Sequence, residues 1–187
     1  MYIVLAALAL LALWSVLSYN ALVGSRNKVD EAWSGIEVQL KRRSDLIPNL
    51  VETVKGYAQH ESGTFEAITK ARAAATAATT PEDRAKAEGQ VSSLIGRIVA
   101  ISEAYPELKA NQNFLELQNQ LAETEDQIQM SRRYYNGAVR NLNISIQSFP
   151  DVVVARSLGF QEEPFFELES RAEAAAPQIG FPGGGKA

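Results

Sequence analysis

The residue types that carry most enzyme chemistry are sparse in this sequence, which has one histidine and no cysteine. His60 precedes Glu61, and the two could share a metal ion, but a zinc site built on a single histidine needs several more acidic ligands. We therefore expect a surface or helix-end histidine. The sequence also lacks a Gly-x-Ser-x-Gly turn and an internal glycine-rich phosphate loop. It predicts no catalytic residue, no cofactor and no metal site.

Acidic side chains cluster at residues 123–126. They could attract a cation, but neighbouring residues of a helix point in different directions. The motif of a Glu followed three residues later by His, which builds di-metal sites in helical bundles, does not occur. We expect a solvated helix face in which Glu125 pairs with Arg72 or Arg132.

A basic run at residues 41–43 contains Arg42 and Arg43. Such a run could bind anionic lipid, at about 1 kcal/mol for each basic side chain near a membrane surface. If the helix stays straight, however, these residues stand about 30 Å beyond the N-terminal apolar segment described below. Salt bridges or a surface for a partner protein are the roles we expect.

A tyrosine–asparagine pair occurs twice, as Tyr19-Asn20 and Tyr135-Asn136, and Asn143 follows one heptad after Asn136. Polar residues on a core-facing stripe can fix the register of packed helices through hydrogen bonds between them. We expect this structural role rather than ligand binding. These five residues, with Arg42, Arg43 and Glu125, are the candidates for structural or interaction sites.

The N-terminal residues 1–25 contain no charged side chain. A helix from Tyr2 to Val23 would measure about 33 Å, close to the roughly 30 Å hydrocarbon core of a bilayer, and Trp14 and Tyr19 suit a membrane interface. A cleaved signal peptide would need a basic start and a small-residue cleavage site, and a core helix would need an equally apolar partner. The sequence thus predicts a transmembrane helix over 1–23.

Basic residues lie only on the C-terminal side of this helix, beginning with Arg26 and Lys28. The positive-inside rule then predicts a single-pass membrane protein with a short N-terminus outside and the remainder in the cytoplasm. The net charge of −4 gives no electrostatic reason to expect a nucleic-acid partner.

The rest of the sequence reads as helical, because residues 26–149 show no alternating strand patterns. Helix starts are predicted at Pro48, at Pro81 with Thr80 as its N-cap, and at Pro106, because proline suits a first helical turn, and Phe149-Pro150 closes the last helix. The predicted fold is all-α: the transmembrane helix continues into an antiparallel four-helix bundle of long helices spanning 24–149, followed by a partly ordered C-terminal tail. The predicted helices are 2–43, 47–78, 81–104 and 107–148.

Beyond the bundle, residues 150–171 contain valines and phenylalanines that we expect to dock on it. Residues 172–187 are rich in small residues and are expected to form a flexible tail. The last predicted helix also carries large apolar residues off its main stripe, which one bundle cannot easily bury. We therefore predict a homo-oligomer larger than a dimer. The off-stripe residues are Leu115, Met130, Tyr134 and Ile144.

Several short motifs follow one another along residues 19–168. Among them are Tyr19-Asn20-x-Leu22-Val23, Arg26-Asn27-x-Val29-x-x-Ala32-Trp33, Val38-Gln39-Leu40-Lys41-Arg42-Arg43, Asp45-Leu46-Ile47-Pro48-Asn49-Leu50-Val51, Tyr105-Pro106-x-Leu108-Lys109-Ala110-Asn111 and Arg132-Arg133-x-Tyr135-Asn136. In order and spacing these motifs resemble the LemA family of bacteria. The resemblance implies an integral protein of the bacterial cytoplasmic (inner) membrane with one N-terminal helix and an antiparallel helical bundle, and it implies no established catalytic activity.

Three functions are compatible with the sequence. We favour a non-enzymatic, membrane-anchored scaffold that assembles with itself, holds partners, or does both; its partners would be the lipid bilayer, further copies of the chain and an unknown protein. A signalling or sensory membrane module is the alternative. An enzyme using dispersed carboxylates is the third, and a buried acid pair with raised pKa values would support it.

Overall fold

A computed structural model of the protein describes residues 1–167, which are mostly helical and contain no strand. The predicted all-α class is confirmed. Residues 172–187, predicted as a flexible tail, and the last residues of the predicted docking segment lie outside the described part. The helices are α1 (Tyr2–Lys55), α2 (Ser62–Ala77), α3 (Pro81–Ser102), α4 (Pro106–Lys109), α5 (Gln112–Gln147) and α6 (Asp151–Ser157), with a 3₁₀ turn at Gln59–Glu61.

The longest element is α1, whose 54 residues make it about 80 Å long. Its N-terminal end is long and apolar enough to cross a membrane, and residues 1–13 are exposed along their whole length. Buried residues begin at Ser18 and Leu22, and from Val29 to Val54 they recur every three or four positions. This near-heptad spacing is typical of helices that pack at a shallow angle.

Two hydrophobic clusters follow one another along α1. In the first, the middle of α1 packs against the C-terminal half of α5, as Leu22, Val29 and Leu142 illustrate. In the second, Ile47 and its neighbours pack against the N-terminal half of α5 and the hairpin of α2 and α3. The helices α1 and α5 are therefore antiparallel. A four-helix bundle forms at the far end, whereas α6 and the segment after it complete the end near the apolar segment.

The first predicted helix boundary is wrong, because α1 continues through Pro48 to Lys55. A proline inside a helix costs about 3 kcal/mol, but Ile47 and Leu50 on either side of it are fully buried. Burial of each such side chain contributes about 1.5–3 kcal/mol, which offsets the lost hydrogen bond. The chain instead turns at residues 56–61, before α2 begins.

The other boundaries follow local capping chemistry. Thr80 caps α3 as its sequence predicts: its Oγ1 accepts a hydrogen bond from the Asp83 amide at 3.1 Å, and Pro81 occupies the first turn. The predicted helix 107–148 is interrupted, however. Asn111 lies just beyond the short α4 and caps α5, because its Oδ1 accepts from the Phe114 amide at 3.1 Å.

Candidate functional site

A buried cluster of charged side chains joins α1, α3 and α5. At its centre is Arg43, only 2% exposed. Its Nη2 donates to Glu88 Oε2 at 2.5 Å and to the Glu88 carbonyl oxygen at 3.2 Å, and its Nη1 donates to Ser92 Oγ and Glu125 Oε2, both at 2.6 Å. Arg84 contacts the second oxygen of Glu88 at 3.2 Å. One guanidinium thus links side chains from all three helices.

The heptad pattern of α1 explains why this arginine is buried. Leu22, Val29, Ile36, Arg43 and Leu50 are seven residues apart and all face the core. A charged residue at one position of an otherwise apolar seam is stable only in the register that supplies its partners, because an unpaired buried charge is costly. Arg43 therefore acts as a register lock between α1 and the helices α3 and α5.

The expected partner of Glu125 is wrong, since Glu125 binds Arg43 rather than Arg72 or Arg132. Arg72 donates from Nε to Ser44 Oγ at 2.9 Å. Arg132 donates to Gln129 at 3.1 Å, and its guanidinium lies 5.5 Å from the ring centre of Phe166. Burial lowers the pKa of Arg132; the Glu125 carboxylate opposes this effect and the Arg43 charge adds to it.

The other basic residues of the run make exposed ion pairs. Arg42 contacts Glu123 at 3.4 Å, and both side chains are about half exposed. Lys41 pairs with Asp45 one turn further along α1, at 2.8 Å. Exposed pairs of this kind contribute about 0–1 kcal/mol. Adjacent arginines therefore occupy opposite environments, and only Arg43 is part of the interior.

A second polar feature holds the chain after α6 against α5. Asn143 donates from Nδ2 to the Glu163 carbonyl oxygen and accepts from the Glu163 amide, both at 2.9 Å. Asn136 makes the same two bonds with the backbone of Phe166, at 3.3 and 2.9 Å. The two asparagines, one heptad apart, bind an extended segment by its backbone, so we call them the asparagine clamp.

Tyr135 adds a third attachment to the same segment. Its hydroxyl donates to the Pro164 carbonyl oxygen at 3.0 Å, and its ring lies 5.4 Å from that of Trp33. Burial raises the pKa of Tyr135 to about 12, helped by the carboxylates of Glu163, Glu82 and Asp30.

The expected interhelical role of the asparagines is therefore wrong, because their partners lie in the extended segment rather than on another helix. The repeated tyrosine–asparagine pair also serves two different purposes. Asn20 is exposed, and Tyr19 is 44% exposed. The Tyr19 ring meets Phe160 edge-on at 6.0 Å. Tyr19 of the pair in α1 contacts Phe160, at the start of the segment after α6. The pair in α5 binds the end of that segment, at Pro164 and Phe166.

A cleft of about 380 Å³ opens between α3 and α5 beside the Arg43 cluster. Its walls are mostly apolar, and Ser92 and Glu125 line it together with Arg43. The two carboxylates that could form an acid pair, Glu88 and Glu125, are both bound to the arginine. No group of three or more acidic, histidine or cysteine side chains that could hold a metal is found within residues 1–167. The ion pairs give both carboxylates a part in the packing of α1, α3 and α5.

Sequence reasoning missed Glu88, Ser92 and Asp151. Glu88 had a usable signal, since it lies three residues from Ala85 and from Val91 on the buried stripe of α3. Ser92 had no such signal, because a serine within a helix is common. Asp151 had none either, because an aspartate in the first turn of a helix is common. The partner of Asp151 is Ser18, whose Oγ donates to its carboxylate at 2.6 Å.

The fold and these clusters define a class of protein: an elongated all-helical bundle, locked by buried polar contacts, on a helix able to cross a membrane. Residues 32–181 match the family model described as "LemA family", and the chain belongs to the LemA family.

Curated relatives are identical to this chain at about a quarter of aligned positions. Protein LemA of Metamycoplasma hominis is 26% identical over 79% of this chain and 68% of its own length. Magnetosome protein MamQ 2 of Paramagnetospirillum magneticum is 25% identical over 81% and 65%, and magnetosome protein MamQ of Magnetospirillum gryphiswaldense is 24% identical over 88% and 71%. The chain thus spans about two thirds of the length of these relatives.

Proposed function

We propose that this chain is a non-enzymatic scaffold of the bacterial cytoplasmic membrane, anchored by the N-terminal end of α1. The observation that carries the proposal is the continuity of α1, which runs from the exposed apolar segment to Lys55 without a break. A single helix transmits position and direction from the bilayer to the far end of the bundle. The Arg43 lock, which links α1 to α3 and α5, keeps that arrangement rigid.

The orientation we propose places the short N-terminus outside and the bundle in the cytoplasm. Arg26 and Lys28, the first basic residues, are exposed and follow the apolar segment directly. Basic residues close to a transmembrane helix favour the cytoplasmic side. A reporter enzyme that works only in the cytoplasm should be active when it is fused after Ala187. Activity of a reporter that works only after export would contradict this orientation.

A surface for self-assembly is supported by the outer face of α5. Leu115, Met130, Tyr134 and Ile144 are 41–59% exposed. At about 100° per residue they fall within an arc of about 100° on one side of the helix. Large apolar residues aligned on one face are typical of contact sites. We propose that this face, which we call the outer α5 face, packs against further copies of the chain in an oligomer larger than a dimer.

The names of the relatives are compatible with a role without catalysis, since LemA and magnetosome protein MamQ denote no reaction. The bound state of Glu88 and Glu125 supports the same view. Both acids contact Arg43, which gives each of them a structural role in the bundle.

Two measurements test the proposal. Removal of residues 2–13, which are exposed throughout, should release the protein from membranes washed with alkaline carbonate; retention would contradict the anchor. Light scattering in lipid nanodiscs, with the lipid mass subtracted, should give more than twice the 20.4 kDa of one chain. A monomer across mild detergents and nanodiscs would overturn self-assembly.

The outer α5 face can be tested separately, because the chain has no native cysteine. A bis-maleimide added to intact membranes should join the introduced thiols of a Met130→Cys variant into covalent dimers, the largest product that one thiol per chain allows. The matched control is Glu66→Cys, at an exposed position on α2. Equal crosslinking of the two variants would show that the contact does not involve this face.

A further inference from the structure

The end of the bundle nearest the apolar segment carries its own exposed apolar surface. The turn between α5 and α6 presents Phe149, which is 84% exposed, and α6 and the residue after it present Val153 and Leu158, at 53% and 58%. Arg156 is exposed on the same short helix. We call these four residues the α6 tip. Aromatic and aliphatic side chains beside a basic one are the combination that binds membrane interfaces.

The contacts of α6 fix the height of this tip relative to α1. Asp151, its first residue, accepts the hydrogen bond from Ser18, which is 5% exposed. Phe160, just after α6, meets Tyr19. Since α5 runs antiparallel to α1, the turn at Phe149 lies at the end of the bundle that faces the apolar segment. The tip therefore stands at the level of residues 18–19 of α1.

The length of the apolar helix then places the tip at the bilayer. From Tyr2 to Leu17 the helix measures only about 24 Å, whereas a bilayer core is about 30 Å thick. The outward-facing apolar run ends at Leu17, and the uncharged stretch continues to Ser25, so the boundary of the core lies between these two residues. Ser18, and α6 with it, consequently falls within the boundary region rather than in bulk water.

Burial along α1 agrees with this placement. Trp14 and Ser15 are already partly shielded, and Trp14 packs against the cluster that contains Val154. Exposure of Phe149, Val153 and Leu158 to water would be costly, since burial of a large apolar side chain is worth about 1.5–3 kcal/mol. These three residues lie at the level of the lipid interface, which removes this cost. Anionic headgroups there complement the charge of Arg156.

We propose that the α6 tip is a second membrane contact, in which Phe149, Val153 and Leu158 enter the lipid interface and Arg156 lies among the headgroups. The contact rests on the proposed anchorage by α1 and extends it. One helix alone leaves a bundle free to tilt and rotate about its axis. Two contacts at one end fix both the tilt and the rotation, so that every copy presents its outer α5 face in the same direction.

The test uses the full-length chain in vesicles of phosphatidylcholine and phosphatidylglycerol, with an environment-sensitive fluorophore on a single introduced cysteine. Phe149→Cys and Leu158→Cys report on the tip. Val38→Cys is the matched control, since Val38 is 64% exposed on α1 but lies about 30 Å beyond Ser18. Leu8→Cys, in the middle of the apolar segment, reports on the anchor itself.

We expect lipids with a nitroxide at a shallow acyl position to reduce the fluorescence of labels at 149 and 158, with a blue shift of the emission. Deep nitroxides should quench the label at 8, and neither lipid should affect the label at 38. Labels at 149 and 158 that behave like the one at 38, while the label at 8 is still quenched, would overturn the second contact and leave the anchor intact.

Two further outcomes are distinguishable. A label at 8 that no lipid nitroxide reaches would overturn the anchor, and the second contact with it. Labels at 149 and 158 that are shielded from aqueous iodide but not reached by lipid nitroxides would mean that protein covers the tip. If that shielding persists in detergent and grows with protein concentration, the occupant is a second copy of the chain, and the lipid contact is refuted.

Discussion

Replacement of Arg43 by methionine is the sharpest test of the buried lock. The substitution keeps an unbranched side chain of similar length but removes the positive charge that binds Glu88 and Glu125. Glu88 is 5% exposed, so it remains buried and keeps only its contact with Arg84. Removal of one partner of a buried ion pair costs about 3–5 kcal/mol. We expect Arg43→Met to lower the free energy of unfolding by this amount.

The neighbouring residue provides a matched control. Arg42→Met makes the same chemical change one position away, where the ion pair with Glu123 is about half exposed. Such pairs contribute about 0–1 kcal/mol. The free energy of unfolding is measured in mild detergent by urea titration followed by circular dichroism. Urea is preferred to guanidinium, which would screen the charges under test.

A double-mutant cycle separates the ion pair from general packing. Glu88→Gln alone leaves Arg43 with Glu125 and Ser92, and it should cost less than Arg43→Met. The double variant should cost less than the sum of the two single variants, by about 0.5–3 kcal/mol. If Arg43→Met and Arg42→Met destabilise the protein equally, or if the two changes at 43 and 88 are additive, the register-lock argument is wrong.

Further predictions concern the clamp and the core. The folded protein raises the pKa of Tyr135 to about 12 from its usual value of about 10. The free energy of unfolding should therefore be unaffected by this group below pH 10 and fall by about 2–3 kcal/mol between pH 10 and 12. Tyr135→Phe should remove this decrease when unfolding is measured against pH, and an unchanged decrease would contradict the assignment. Asn143→Asp cannot donate to the Glu163 carbonyl, so amide exchange at residues 160–167 should accelerate, whereas Asn141→Asp, at an exposed position of α5, should leave it unchanged. Leu121→Ala should cost about 2–5 kcal/mol because the side chain is 5% exposed, against less than about 1 kcal/mol for Leu115→Ala on the outer α5 face; equal losses in urea titration would show that the core is misplaced.

Local patterns in the sequence determined the class of the fold and the candidate anchor. The uncharged residues 1–25, the three- and four-residue spacing of apolar side chains and the Thr80-Pro81 start each depend on neighbours within a few turns. Such signals act within one helix, and the structure has them where they were expected. The apolar residues off the α5 stripe, such as Met130, are exposed for the same reason, since helical periodicity alone decides which face a residue lies on.

The tertiary structure decided which side chains meet. Pro48 looked like a helix start because its missing amide suits one, but packing of Ile47 and Leu50 keeps it inside α1. The asparagine clamp was expected between helices, because nothing local indicates that residues 163–166 would run extended along α5.

Arg43 makes the distinction clearest. In the sequence it is the last of three basic residues, and a helical wheel places it on the seam without naming its partners. Those partners, Glu88 and Glu125, are 45 and 82 residues away. Their meeting depends on the relative register of three helices, which long-range packing sets. The sequence by itself determined the helices, the buried face of each and a candidate membrane segment, because these depend on short-range periodicity. The pairing of buried charges was decided by the tertiary structure, because only the packed fold brings distant residues within hydrogen-bonding distance.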